Sequence, residues 1–223
     1  SGVGDTITVC DGSGTDYTAK ISDIDDTCVI CEILDSQKCN TEPGIKVTLF
    51  QGLPKASKMD YIIQKNTELG ICNITPVSMS RCVVKLENKK AEEKKTERWQ
   101  KIAVEAAKQS GRGIIPTVNM PLTFDDVVKN VEEYDLVFAP YECEEKTRLR
   151  DVVEAYPHAK NIAFIIGPEG GFDLKEVEAA KAAGDMALFG QKMAEAGKVR
   201  QDAYAKLHHD MMHFVSEATK EQL

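Results

Sequence analysis

Ile165-Ile166-Gly167-Pro168-Glu169-Gly170-Gly171-Phe172 joins two unlike patterns. Before it, residues 162–166 form a continuous apolar run of strand length, as a strand covered on both faces produces. After it, Asp173 is placed to cap a helical pattern over 174–183 that Gly184 closes. Strand, glycine-rich turn and helix in that order are the unit of an open α/β sheet. Ligands in such sheets bind just beyond the carboxyl ends of the strands. Gly167, Gly170 and Gly171 lack Cβ atoms, so backbone N–H and C=O groups can come close to a ligand. Pro168 stiffens the turn, and Glu169 sets a carboxylate at the strand end. The bland reading is a tight strand–helix connection, but the spacing G-P-E-G-G-F is more specific than that.

Outward from this loop the same alternation continues. Residues 58–69 carry Met59, Ile62, Ile63 and Leu69 at helical spacing, ended by Gly70. Residues 74–77 read as a short strand. Residues 91–110 read as a long helix with Trp99, Ile102, Ala103, Ala106 and Ala107 on one face and Gly111 at its end. Residues 124–131 read as a helix, 136–139 as a buried strand, 187–189 as a strand and 203–218 as a final helix. The expected class is α/β with a mostly parallel sheet. Residues 1–50 differ. Thr6-Ile7-Thr8-Val9 runs into the turn signal Asp11-Gly12-Ser13-Gly14, and strands are expected over 17–21, 28–34 and 45–50. The expected division is therefore a small β unit over 1–50, incomplete at its start, and an α/β domain over 51–223.

With 223 residues, 42% hydrophobic and 29% charged, the chain suits a globular protein with a real core. No apolar run approaches bilayer length, and seven irregularly spaced cysteines argue for a reducing compartment rather than a disulfide framework. Cys28 and Cys31 have C-x-x-C spacing without a second pair, so they read as strand residues. His209 and His213 stand at i,i+4 but read as a polar helix face beside His208. The net charge of −8 is unevenly spread. Residues 1–50 hold nine acids and three bases, and 113–190 hold fifteen acids and seven bases. Residues 81–112 hold ten bases and five acids, which a helix face of Glu–Lys pairs or an RNA-facing surface would each explain.

Further blocks accompany the glycine loop in a fixed order. They are Gly52-Leu53-Pro54-Lys55 with Lys58-Met59-Asp60, then Ile63-Gln64-Lys65-Asn66-Thr67-Glu68-Leu69-Gly70, then Ile74-Thr75-Pro76-Val77 with Arg81-Cys82-Val83-Val84-Lys85. Arg98-Trp99 and Ala106-Ala107-Lys108-Gln109-Ser110-Gly111-Arg112 follow. Together they resemble the ribosomal RNA small subunit methyltransferase E family, a branch of the SPOUT superfamily of trefoil-knotted methyltransferases. The resemblance implies a PUA-like β-barrel for RNA over 1–50 and a knotted, homodimer-forming domain over 51–223. It implies a cytoplasmic enzyme needing neither metal nor membrane, which uses S-adenosyl-L-methionine to methylate N3 of a uridine in 16S ribosomal RNA of the small ribosomal subunit. The cofactor would lie against Ile166, Gly167, Pro168, Glu169, Gly170 and Gly171, and against Leu188, Phe189 and Gly190, with Tyr141 and Glu142 as a further wall. After Gly190 the sequence departs from the family's third motif, and Arg200-Gln201-Asp202-Ala203 is at most an echo of it.

Uridine N3 is a poor nucleophile until its proton leaves, so the site needs a general base or positive groups that stabilise the anion. Arg112 is the candidate for catalysis and RNA binding, and Arg81 for phosphate or base, because guanidinium forks suit both; a surface ion pair is the alternative. Glu169 is a candidate base, or else holds the loop or a ligand hydroxyl. Lys55 and Lys58 are candidates for the RNA backbone or are simply solvated. The competing functions are an RNA-binding protein of this fold that has lost transfer and a nucleotide-binding enzyme. The latter is disfavoured because no Lys-Ser or Lys-Thr follows the glycines.

Overall fold

The structure, a computed structural model, describes residues 1–86, 88–141, 148–182 and 186–189. The first three strands, Thr6–Cys10 (β1), Thr15–Ile24 (β2) and Val29–Lys38 (β3), make an antiparallel sheet in the order β1-β2-β3. The turn between β1 and β2 is set by Asp11, whose Oδ1 accepts from the N–H of Ser13 at 2.7 Å and of Thr15 at 3.1 Å. These bonds hold the Asp11 carboxyl below its ordinary pKa.

The next strand, Lys46–Gly52 (β4), corrects the expected division. It was grouped with the β unit but lies in the middle of a second, parallel sheet. Every residue from Val47 to Gly52 is buried, which a strand covered on both faces requires and a half-exposed strand cannot supply. The chain continues through Lys58–Glu68 (α1), Asn73–Ser78 (β5), Lys89–Ser110 (α2), Thr117–Val118 (β6), Leu122–Thr123 (β7) and Phe124–Lys129 (α3). Then come Leu136–Pro140 (β8), Leu149–Ala155 (α4), Asn161–Ile166 (β9), Leu174–Ala182 (α5) and Met186–Phe189 (β10). The sheet order is β10-β8-β9-β4-β5-β6, with β7 also beside β5 and all pairings parallel.

Local chemistry explains the helix ends. Asn88 accepts from the N–H of Ala91 at 3.0 Å to start α2, and Gly111, at φ 67°, ends it. The helix expected over 124–131 stops at Lys129 and is followed by a 3₁₀ turn at Val131–Glu133. The strands β6 and β7 and the helix α4 were not anticipated, because two-residue strands and a seven-residue helix carry too little periodicity. The expected helix over 203–218, with its three histidines, lies outside the described residues. No described helix is long and apolar enough to cross a membrane.

The core sits on both faces of the parallel sheet. Phe138 and Phe164 stack at 6.0 Å on neighbouring strands, and Phe50 meets Tyr134 edge-on at 5.8 Å. One carboxylate fixes α1 against α2. Asp60 accepts both terminal nitrogens of Arg98, at 2.7 and 2.8 Å, and the Trp99 Nε1–H at 3.2 Å.

Arg112 is a second correction. It was expected to face RNA or the reacting base, but its side chain is 4% exposed and its donors are spent inside the protein. Nη1 donates to the carbonyls of Thr67 at 3.2 Å and Ile71 at 2.6 Å. Nε and Nη2 reach the two carboxylate oxygens of Glu42, which also accepts from the N–H of Ile114 at 2.9 Å. The physical reason is position. Thr67 and Ile71 lie at the end of α1 and the start of β5, the end of the sheet opposite the 167–171 loop, roughly 16 Å away along α1 at 1.5 Å per residue. Arg112 therefore ties the linker out of the β unit to the α/β domain. Removing one member of a buried pair strands the other charge. Arg112→Ala is expected to lower the unfolding free energy by about 3 kcal/mol, measured by denaturant titration followed through Trp99 fluorescence.

Candidate functional site

In a parallel sheet all strand carboxyl ends lie on one side, and here they gather the predicted residues. The pairing sets Gln51 opposite Ile166, so β4 and β9 end at the same level. From there the chain diverges. The connection after β4 leads to β5, and the connection after β9 leads past β8 to β10. That reversal is a topological switch point, where open α/β sheets bind ligands. Tyr141, half-buried, follows β8 directly, and Phe189 of β10 pairs with Pro140. The ends of β10, β8 and β9 are thus side by side. Leu188 and Phe189 lie on β10 as expected, while Glu142 and Gly190 lie outside the described residues.

The two switch-point loops touch. A Cβ on Gly52 would stand 2.7 Å from the Pro168 nitrogen and 2.9 Å from the Gly167 carbonyl carbon, so only glycine fits there. Within the second loop the Gly171 N–H donates to the Pro168 carbonyl at 2.8 Å, with Gly171 at φ 69°. Phe172 then turns inward and packs edge-on against Phe124 at 6.3 Å. The loop is short, closed and anchored at its C-terminal side by an aromatic ring.

Polar contacts hold it from both flanks. Glu169 accepts from the Lys55 N–H at 3.1 Å and from the Lys58 ammonium at 2.8 Å. Burial pushes the Glu169 carboxyl up, but these bonds outweigh it, and its pKa falls below the ordinary value. On the other flank Arg81 Nη1 donates to the Gly170 carbonyl at 3.0 Å, and its Nε lies 3.7 Å from Asp173. Glu176 completes the anchor. One oxygen accepts from the Ser80 N–H at 2.7 Å and the other from the Asp173 N–H at 2.8 Å.

Several assignments change accordingly. Glu169 accepts both bonds from the start of α1 on Oε1 and so holds the loop, one of the roles expected of it. Lys58 pairs with Glu169, with its side chain 37% exposed, whereas the exposed Lys55 contributes its backbone N–H to the same carboxylate. Arg81 grips the loop and keeps further donors on its fork. Arg112 is absent from this end of the molecule. Glu176 was missed, although Asp173-Leu174-Lys175-Glu176 has the spacing of a reciprocal helix cap.

The fold and site define an open, parallel α/β protein with a locked glycine loop at a switch point. A family model described as RNA methyltransferase domain matches residues 41–189, a span that includes β4 and so agrees with its place in the parallel sheet. A ribosomal RNA small subunit methyltransferase E from Bacillus subtilis is 36% identical over 179 residues, 78% of this chain and 70% of that protein. Among solved structures, a ribosomal RNA small subunit methyltransferase E from Neisseria gonorrhoeae bound to S-adenosyl methionine superposes with a TM-score of 0.79 at 26% identity, covering 96% of this chain and 84% of that one. A Legionella pneumophila methyltransferase in complex with the bound cofactor SAM gives a TM-score of 0.79 at 28% identity, covering 96% and 84%. The chain belongs to the ribosomal RNA small subunit methyltransferase E family.

The Glu169 contacts make a pH prediction. A carboxyl with a depressed folded pKa adds stability above its unfolded pKa and loses it as pH falls through the folded value. Glu169→Gln is expected to cost about 1 kcal/mol near neutrality. That deficit should vanish in acid, as read from denaturation curves at a series of pH values.

Proposed function

We propose that this chain transfers a methyl group from S-adenosyl-L-methionine to N3 of a uridine in 16S ribosomal RNA of the small ribosomal subunit. The observation that carries the reading is the glycine loop 167–171, locked at the end of β9 in a chain of this methyltransferase family. The residues suit a nucleoside cofactor. Half-buried Tyr141, directly after β8, offers apolar surface at the strand ends, Ile166 is buried beneath the loop, and at Gly167 a Cβ would already press on Gly171 at 3.3 Å and Phe172 at 3.4 Å. Gly167, Pro168, Gly170 and Gly171 would hold the cofactor from the loop after β9, with Leu188 and Phe189 from β10; Gly190, expected beside them, lies outside the described residues. When bound, it supplies a methyl group already activated by a positive sulfur.

The protein's own task is then alignment and charge. Holding the loop from Lys55, Lys58 and Arg81 fixes where the donor sits, and alignment of this kind supplies much of the acceleration. With Glu169 engaged, loss of the N3 proton is assisted by positive groups that stabilise the uridine anion. Arg81, whose side chain is 42% exposed and reaches Gly170, is placed for that or for the adjoining phosphate. The same reading includes a trefoil knot in the α/β domain, a homodimer through that domain, a PUA-like role in RNA binding for β1–β3, and a place in the cytoplasm without metal. Likeness to the two cofactor-bound structures over nearly the whole chain supports it.

The test is transfer itself. Small subunits from cells lacking the modification, incubated with the protein and labelled S-adenosyl-L-methionine, are expected to yield label in 3-methyluridine after digestion; label elsewhere would sink the assignment. Gly52→Ala is expected to weaken cofactor binding by about tenfold or more in calorimetry, because its methyl group displaces Pro168.

A further inference from the structure

The basic segment becomes an ordered surface on α2. At 100° per residue, Lys90, Lys94, Lys101 and Lys108 fall within about 40° of one another. The buried Trp99, Ala103 and Ala106 lie on the opposite side. All four lysines are exposed, and their row is about 27 Å long at 1.5 Å per residue. Lys108 is paired with Glu105 at 2.8 Å. Among the described residues Lys90, Lys94 and Lys101 form no ion pair, although Glu97 shares their face.

Two further observations give the row a direction and a partner. Its first half lies toward the strand ends: Arg98 bonds to Asp60 at the start of α1, where Lys58 holds Glu169 of the loop, and Lys90 and Lys94 lie on the turns before Arg98. Its far end runs into residues 111–115, which dock the β unit. The Gly14 N–H donates to the Gly113 carbonyl at 2.9 Å, and the Ile115 N–H to that of Gly12 at 3.1 Å. The row therefore spans the distance between the β unit and the donor loop. The segments on either side are acidic, with nine acids against three bases over 1–50 and fifteen against seven over 113–190. A polyanion is repelled there and drawn to α2.

We propose that the outer face of α2 is the track for the sugar–phosphate backbone of the RNA substrate, which runs along Lys90, Lys94, Lys101 and Lys108 from the β unit to the 167–171 loop. This rests on the reading that the substrate is RNA. Lysines are point charges on flexible stems, so the row sets affinity and register without reading bases.

The experiment measures binding of the full chain to unmodified 16S ribosomal RNA across a salt series. For Lys90→Gln/Lys94→Gln/Lys101→Gln the slope of log affinity against log salt is expected to fall by about 2 to 3, with binding at least about tenfold weaker near 0.1 M salt. The corresponding Arg triple variant should keep the parent slope, and cofactor affinity should be unchanged in both. A Gln variant with parent slope and affinity overturns the proposal and leaves the methyltransferase reading standing; a row that serves an acidic protein instead would give that result. Parent protein that binds the RNA without salt dependence overturns the RNA reading itself, and the track with it.

Discussion

Gln51 and Ile166 face each other across the parallel pairing of β4 with β9, and both strands end there. Two loops must then leave the sheet side by side within the spacing of adjacent strands, under 5 Å. No room remains for a side chain between them, which is why residue 52 is glycine and why its backbone lies against Pro168. The rest of the site is arranged around this contact. It brings the start of α1 to Glu169, and the loop's other flank meets Arg81. The rigidity of the loop comes from the sheet beneath it, where β4 and β9 are buried almost throughout.

Three buried or part-buried carboxylates each collect several donors. Asp60 gathers three from α2, Glu176 ties two loops, and Glu42 gathers Arg112 and a backbone N–H. Each joins elements distant in sequence, so these pairs act as specific junctions where apolar packing alone would allow sliding. Arg112 illustrates the consequence. The residue type suits phosphate, but a guanidinium with both carboxylate oxygens and two carbonyls around it has little left to offer a ligand.

The surface divides in a complementary way. Near the loop Lys58 and Arg81 each give a bond to holding it, whereas the outer face of α2 keeps most of its lysines for solvent. An acidic chain of net charge −8 thus concentrates positive charge on one helix of the α/β domain, between β5 and β6.

Much of this was legible in the sequence. The glycine loop, its flanking strand and helix, the long α2 and the turn at Asp11 all rest on short-range rules of periodicity, capping and φ, which act within a few residues. The loop was found because its chemistry is contiguous. Tertiary structure alone decided three things. It placed β4 in the parallel sheet, since Ile45-Lys46-Val47-Thr48-Leu49-Phe50, apolar at alternate positions, fits either sheet until its neighbours are known. It turned Arg112 inward and Glu169 toward α1, since a charged side chain's partner is set by whatever packs beside it, here Glu42 from 70 residues away and Lys58 from 111. It also aligned the lysine row with the two sheets, because helical phase gives a stripe but only packing gives the direction in which it faces.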